Sequence, residues 1–457
     1  MMQIGVQIDR DRLAEAFAEE TDRFVATHPR SAEAALDAKQ HLLGGVPMPW
    51  MTRWPGPFPL VVAEAEGAHF RDLDGHDYVD LCMGDTGAMA GHALEGLAEV
   101  LATQARRGIT TMLPSDDGPW VAGELAHRFT LPVWQMAMTA TDANRFVLRF
   151  ARHLTARPKV LVHDWCYHGT VDEAFATLDD EGRVRPRPGS IGPAVDPALT
   201  TAVVQINDLD ATAAALETGE IAAVLIEPAM TNVGIVLPDP GYHDALRELC
   251  DRTGTLLVID ETHTICLGPG GATAAWGLRP DFLVIGKTIG GGMPAAAYGM
   301  TQQVADRLSP ALFGSEVDTS GVGGTLTGNA LALAAVRHTL STSLRAEDFE
   351  RMVPLATAWS DGVQEALDTH GVDWCVQQLG ARAEYWFCPP PRTGREAARV
   401  ADPDLDAYLH LFNLNRGILM TPFHNMALFS PSHRRSDVHR HTEVFDEALG
   451  SLLGPSR

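Results

Sequence analysis

The sequence predicts an α/β fold built on a mostly parallel central sheet, with a smaller α+β lobe beside it. Three observations carry this. Continuous apolar runs of strand length recur from about residue 115 to 300, helical stretches separate them, and the chain is too long for a single core. Its 457 residues are 45% hydrophobic and 21% charged, the composition of an ordinary globular protein able to bury a large core.

Taken in order, residues 10 to 43 place apolar side chains at helical spacing, broken at THPRS, so two helices form an N-terminal arm. PWMTRWPGPFPLVV follows, rich in Pro and Trp, and reads as an ordered extended connector. GAHFRDLDGHDYVDL predicts two strands around the turn DLDG. The runs KVLVH (159–163), TAVVQI (201–206), IAAVLI (221–226), TLLVID (255–260) and DFLVIG (281–286) predict strands buried on both faces. LDATAAALE and GYHDALRELCDRTG predict helices between them, and GNALALAAVRHTL predicts one leading toward a C-terminal lobe. PRTGREAARVAD (391–402) reads as a surface loop. The expected organisation is an arm with part of the small lobe at 1–68, a large domain at 69–340 and a C-terminal small domain at 341–457.

Charge and cysteine usage exclude whole classes of function. A formal net charge of −24 with no basic run argues against nucleic acid, which is bound through clustered Lys and Arg. Six scattered cysteines form no C-x-x-C pair and read as reduced thiols, which suits a cytoplasmic protein. The acidic, amphipathic N-terminus differs from a secretory signal, and no apolar run approaches the ~20 residues that span a bilayer. HRRSDVHRH lacks a framework of metal ligands and reads as a polar helix start, so no metal is expected.

Ligands of parallel sheets bind beyond the carboxyl ends of the strands, where Asp260 and Lys287 both fall. GKT at 286–288 has the ending of a phosphate-binding P-loop, but the first glycine of that motif would have to stand where this chain has Asp281. The phosphate cradle is missing. Alone at a strand end, a lysine is most simply a surface residue. Asp260, one strand earlier, changes that balance. A carboxylate beneath a pyridine nitrogen keeps it protonated, and a lysine nearby can form a Schiff base, the pairing that pyridoxal phosphate requires. Gly290, Gly291 and Gly292 then allow the backbone to pass close to such a cofactor.

The motifs LVIDETHT, FLVIGKTIGGGMP and GGTLTGN (323–329), in that order, resemble those of class III, fold type I, pyridoxal-phosphate aminotransferases, nearest to the branch similar to glutamate-1-semialdehyde aminomutase. The resemblance extends from about Gly44 to the C-terminus. It implies that Lys287 forms the Schiff base and shuttles a proton, with Asp260 on the pyridinium. MTATDAN (138–144) stands at the family's phosphate turn, so the amides of Ala140 and Thr141 would bind phosphate, although an alanine replaces the usual glycine. CYHG implies that Tyr167 stacks on the ring, with His168 either structural or catalytic. In DETHT, Thr262 would lie on the other ring face and His263 near the phenolic oxygen, while Glu261 either bonds the cofactor's surroundings or buttresses the loop. Glu227 joins the cofactor contacts, and Thr325 matches a threonine that reaches a partner's phosphate, which implies a homodimer with shared sites.

For the substrate, the resemblance points to Arg53, flanked by Trp50 and Trp54, as the carboxylate-binding residue, with Trp54 lining an apolar pocket; a guanidinium matches a carboxylate in charge and shape. Arg382 and Arg416 are the weaker candidates for that role, and each reads more readily as a surface or interdomain residue. MTPFHNMALFSPSH adds an apolar, aromatic element suited to aryl or bulky amines or β-amino acids. The segment after YHG lacks the A-G-S-G and S-S-P-G elements of the aminomutases, which favours ping-pong transfer from an amine or β-amino acid to a keto acid or aldehyde. The alternatives are the aminomutase reaction itself, or a decarboxylase or racemase using the same cofactor.

Overall fold

The computed structural model describes residues 8–314 and 321–453. Residues 1–7 of the expected arm and 454–457 of the expected lobe lie outside them. The chain divides into two compact units, one formed by Glu95–Ala346 with Pro391–Arg399, the other by Met1–Leu94, Glu347–Pro390 and Val400–Arg457.

The first of these holds a sheet of seven strands. They are β1 (Val133–Ala137), β2 (Lys159–His163), β3 (Thr201–Val204), β4 (Ile221–Ile226), β5 (Leu256–Asp260), β6 (Phe282–Ile285) and β7 (Ala296–Met300). Their spatial order is β1-β7-β6-β5-β4-β2-β3, and β7 alone runs antiparallel to its neighbours. Every residue of β4, β5 and β6 is buried, as a sheet covered on both faces requires. Val160, Val162, Leu225, Val258, Phe282 and Val284 share one core with Ala143, Phe146, Val147 and Phe150 of the helix Ala140–Thr155. Each buried side chain of this size stabilises by about 1.5–3 kcal/mol.

Strand alternation then aims the site. Leu256, Val258 and Asp260 project to the same face, so the carboxylate ending β5 points toward the helix packed there. Asp260 pairs in register with Val284, and the chain leaves β6 immediately afterwards. Asp281 lies at the opposite end of β6, where its Oδ2 accepts from Leu257 N and from Arg247, both at 2.8 Å. The residue that ruled out a P-loop is thus a strand anchor.

β1 and β7 were not among the predicted strands. VWQMA carries the exposed polar Gln135 at its centre, and AAYGM is dominated by small residues with weak strand preference, so pairing inside the sheet decides their conformation. The expected loop at 391–402 is corrected in part: Gly394–Arg399 is a helix, with Gly394 and Ala397 buried. A Cβ at Gly394 would come within 2.4 Å of Asp164 O, so the glycine is what lets this polar segment pack.

The other unit has helices Arg10–Thr27 and Pro29–Ala38, separated by His28 within the expected break. It also has a four-stranded sheet of Val62–Glu66, His69–Asp72, Asp77–Asp80 and Ile418–Leu419, and a three-stranded one of Cys375–Leu379, Arg382–Trp386 and Met426–Leu428. Pairing of Asp77–Asp80 with Ile418–Leu419 draws residues 69–94 into this unit, whereas the expected boundary stood at 68. Arg382 is not a surface residue: it is 1% exposed and paired with buried Glu384 at 3.0 Å. Arg416 pairs with Glu20 at 3.0 Å. Among the described residues, no helix is long and apolar enough to cross a membrane.

Candidate active site

The carboxyl ends of β5 and β6 bring the predicted pair to adjacent strands. Asp260 is 4% exposed, and both of its oxygens are engaged. Oδ2 accepts from Asn144 Nδ2 at 2.9 Å and faces His168 Nδ1 at 3.1 Å, while Oδ1 accepts from Thr262 N at 3.1 Å. Burial works to raise the Asp260 pKa, but the hydrogen bond and charge of His168, followed by Thr262 and Asn144, hold it down at about 2. The reciprocal holds for His168: burial opposes its charge, yet Cys166 and Asp260 raise it. An anionic carboxylate is therefore kept inside the fold, stabilised by the His168 imidazole and two further donors.

Lys287 begins a short turn directly after β6, with φ +51°, a left-handed conformation uncommon for a residue with a side chain. Its Nζ lies 2.8 Å from His263 Nε2. The expectation set His263 beside a phenolic oxygen; the contact found is with the lysine itself. Glu261 takes the buttressing role of its two readings, since it accepts from Thr264 Oγ1 at 2.5 Å and Ala272 N at 3.1 Å and also binds Thr273 N. Burial raises its pKa.

Thr139 caps the helix Ala140–Thr155, and its Oγ1 accepts from Asp142 N at 3.1 Å. The amides of Ala140 and Thr141 occupy the first two positions, where a helix has no acceptors of its own and an anion is favoured. The alanine departure is matched across the site. A Cβ at Gly286, the residue before Lys287, would lie 3.1 Å from Ala140 Cβ, so the glycine makes room for it. The Thr141 hydroxyl accepts from Thr170 N at 3.0 Å and so joins this turn to the CYHG segment. A Cβ at Gly169 would fall 2.2 Å from that hydroxyl.

Tyr167 is half-buried, edge-on to Phe175 with centroids 6.3 Å apart. Glu227 directly follows β4, is 3% exposed, and accepts from Thr231 Oγ1. Thr325 is exposed on this chain. Arg53 and Trp54 belong to the other unit, where Arg53 is exposed after the turn Pro49–Thr52 and Trp54 is half-buried. Two residues were missed. Asn144 lay inside the quoted MTATDAN, three residues after Thr141 and so near the same helix face, a signal that spacing carried. Thr288 has a buried hydroxyl without a hydrogen-bond partner among the described residues, next to Lys287.

These residues fit pyridoxal phosphate by their chemistry: a buried anionic carboxylate, helix-start amides, a lysine whose preceding residue packs against that helix start, and a hydroxyl beside it unmatched among the described residues. The comparisons agree. Residues 50–380 match the family described as Aminotransferase class-III. Glutamate-1-semialdehyde 2,1-aminomutase of Roseiflexus castenholzii is 32% identical over 438 residues, spanning 94% of this chain and 99% of that protein. The crystal structure of a glutamate-1-semialdehyde-aminomutase from Pseudomonas aeruginosa PAO1 shares 48% identity and a TM-score of 0.96, over 98% of this chain and 100% of that one. A lysine-to-alanine form of the same protein was solved in complex with PMP. A β-phenylalanine aminotransferase from Variovorax paradoxus follows at 26% identity and a TM-score of 0.85, over 96% and 97% of the two chains. The chain belongs to the class III aminotransferases, pyridoxal-phosphate-dependent enzymes of fold type I.

Proposed function

We propose that this enzyme acts on a small amino aldehyde of the glutamate-1-semialdehyde type and moves the amino group between adjacent carbons of one molecule. The observation that carries this reading is the 48% identity, over 98% of the chain, to a glutamate-1-semialdehyde-aminomutase. The bound cofactor supplies the electron sink for the carbon that loses a proton. Asp260, held anionic by His168 and Asn144, keeps the pyridine nitrogen protonated. Lys287 Nζ would hold the cofactor covalently and would take the proton from the reacting substrate carbon and return it. His263, 2.8 Å away, accepts a proton from Nζ and frees its lone pair. The amides of Ala140 and Thr141 would take the phosphate, Tyr167 and Thr262 would contact the ring, and Glu227 is braced by Thr231. Thr325 completes the partner's phosphate site in a homodimer. Arg53 binds the substrate carboxylate, with Trp54 beside it.

A second reading, ping-pong transfer from an amine or β-amino acid to a separate carbonyl acceptor, is favoured by one observation. After YHG this chain has a hairpin of Ala176–Leu178 and Val184–Pro186 and a largely exposed stretch to 196 where aminomutases carry their A-G-S-G and S-S-P-G elements. One experiment separates the two. Given 4-amino-5-oxopentanoate and no second carbonyl compound, the holoenzyme is expected to yield 5-amino-4-oxopentanoate, and Lys287→Ala is expected to lose at least about 10³-fold in rate. Turnover only when an amine donor and a keto acid are both supplied would replace the first reading with the second. Release of carbon dioxide would overturn both.

A further inference from the structure

Helix Arg10–Thr27 ends at His28, which meets the hairpin of His69–Asp72 and Asp77–Asp80 within one compact unit. His28 Nε2 lies 3.4 Å from Asp72 Oδ2, and His76 Nδ1 lies 3.0 Å from the same oxygen. One ligand atom from each residue can be chosen so that all lie within 4.8 Å of one another. A tetrahedral ion with bonds of about 2.0–2.1 Å holds its ligand atoms roughly 3.4 Å apart. Two of the three separations are already close to that value, and a ring rotation of the half-exposed His76 adjusts the third.

We propose that His28, Asp72 and His76 form a binding site for a zinc-type divalent cation, separate in chemistry and sequence from the cofactor-binding residues. Imidazole with carboxylate is the donor set that suits such an ion. His28 and Asp72 are each oriented by a further bond, the arrangement that metal sites depend on. His28 Nδ1 lies 2.8 Å from the carbonyl of Phe24, which as an acceptor puts the proton on Nδ1 and the lone pair on Nε2. Asp72 Oδ1 accepts from His76 N at 2.8 Å, leaving Oδ2 to the cation. The Tyr78 hydroxyl, 2.8 Å from His28 Nε2 and 3.0 Å from Asp72 Oδ2, keeps its donation to the carboxylate when the imidazole turns to the ion. Asp74 is not a ligand: its oxygens accept from Arg30 N, Ser31 N and Ser31 Oγ, which fixes the start of helix Pro29–Ala38 against the turn.

Access comes through His76, whose side chain is 43% exposed. His28, His76 and Tyr78 line an open cavity of about 560 Å³, from which water completes the fourth position. Arg416, on the same cavity, is engaged with Glu20 at 3.0 Å, so its charge is balanced. The ion would tie the turn between the two arm helices to the hairpin.

The test uses holoenzyme cleared of metal with a chelator and then dialysed against zinc chloride. Wild type is expected to take up one zinc ion per chain and to melt at higher temperature when loaded. His76→Gln, at a half-exposed turn position that the fold tolerates, and Asp72→Asn are each expected to weaken uptake by roughly tenfold or more. Cofactor absorbance should not change in either variant, which keeps a failure here distinct from any failure at Lys287. Wild type that takes up no zinc, or variants that take up as much as wild type with the same affinity, would overturn the site.

Discussion

Asp260 and Asp406 are two carboxyl groups withdrawn from water, one in each compact unit, and they titrate in opposite directions. Burial raises the pKa of both. At Asp260 the His168 imidazole and two further donors outweigh it, so the group stays ionised down to about 2. Asp406 has Asn425 Nδ2 at 2.9 Å, while Asp402 and Glu384 add like charge, and its pKa is pushed up to about 6. What separates the pair is the number and sign of their partners, not their depth. A carboxylate kept charged without a solvent shell is a device for holding a cation; one pushed toward neutrality is a cost of packing.

The comparison breaks most sharply at Asp260. Asp260→Asn keeps the shape and removes the charge, and is expected to lower kcat/KM by about 10²–10³-fold. Steady-state kinetics on the holoenzyme measure this, and activity near that of wild type would remove the carboxylate from beneath the pyridine nitrogen.

Asp406→Asn should act on stability and not on rate. The folded pKa of Asp406 lies above its unfolded value, so the neutral form's advantage is complete below about pH 3.8 and is lost as pH rises through about 6. At roughly pH 8 the asparagine variant is expected to gain up to about 3 kcal/mol, with no gain near pH 4. Urea unfolding at the two pH values reads the difference, and an equal effect at both would show that ionisation is not its cause.

The smallest effect should come from His168→Gln. Losing the strongest contact that lowers the Asp260 pKa is expected to move the acid limb of the kcat/KM profile upward by about one unit, or about 1.4 kcal/mol. A uniform drop with an unmoved limb would assign His168 a packing role.

Much of this site is legible in the chain because it lies at strand ends. The buried strands read as continuous apolar runs, and each ends where a polar residue begins, which brings out Asp260 and Lys287 without any tertiary knowledge. β7 was silent because AAYGM has neither period nor branched side chains. The zinc-type cluster was silent for another reason: Asp72 and His76 are four residues apart in a turn, but His28 is far from both in sequence, and no spacing rule joins them.

By itself the sequence determined the parallel sheet, the lysine and aspartate at its carboxyl edge, the glycines around them and the helix start that favours an anion. These follow from periodicity and local backbone chemistry. Only the tertiary structure decided how Asp260 stays charged, that His263 meets Lys287, and that Glu261 serves the loop. His168 and Asn144 reach Asp260 from 92 and 116 positions away, and a pKa is a sum over neighbours in space, not along the chain.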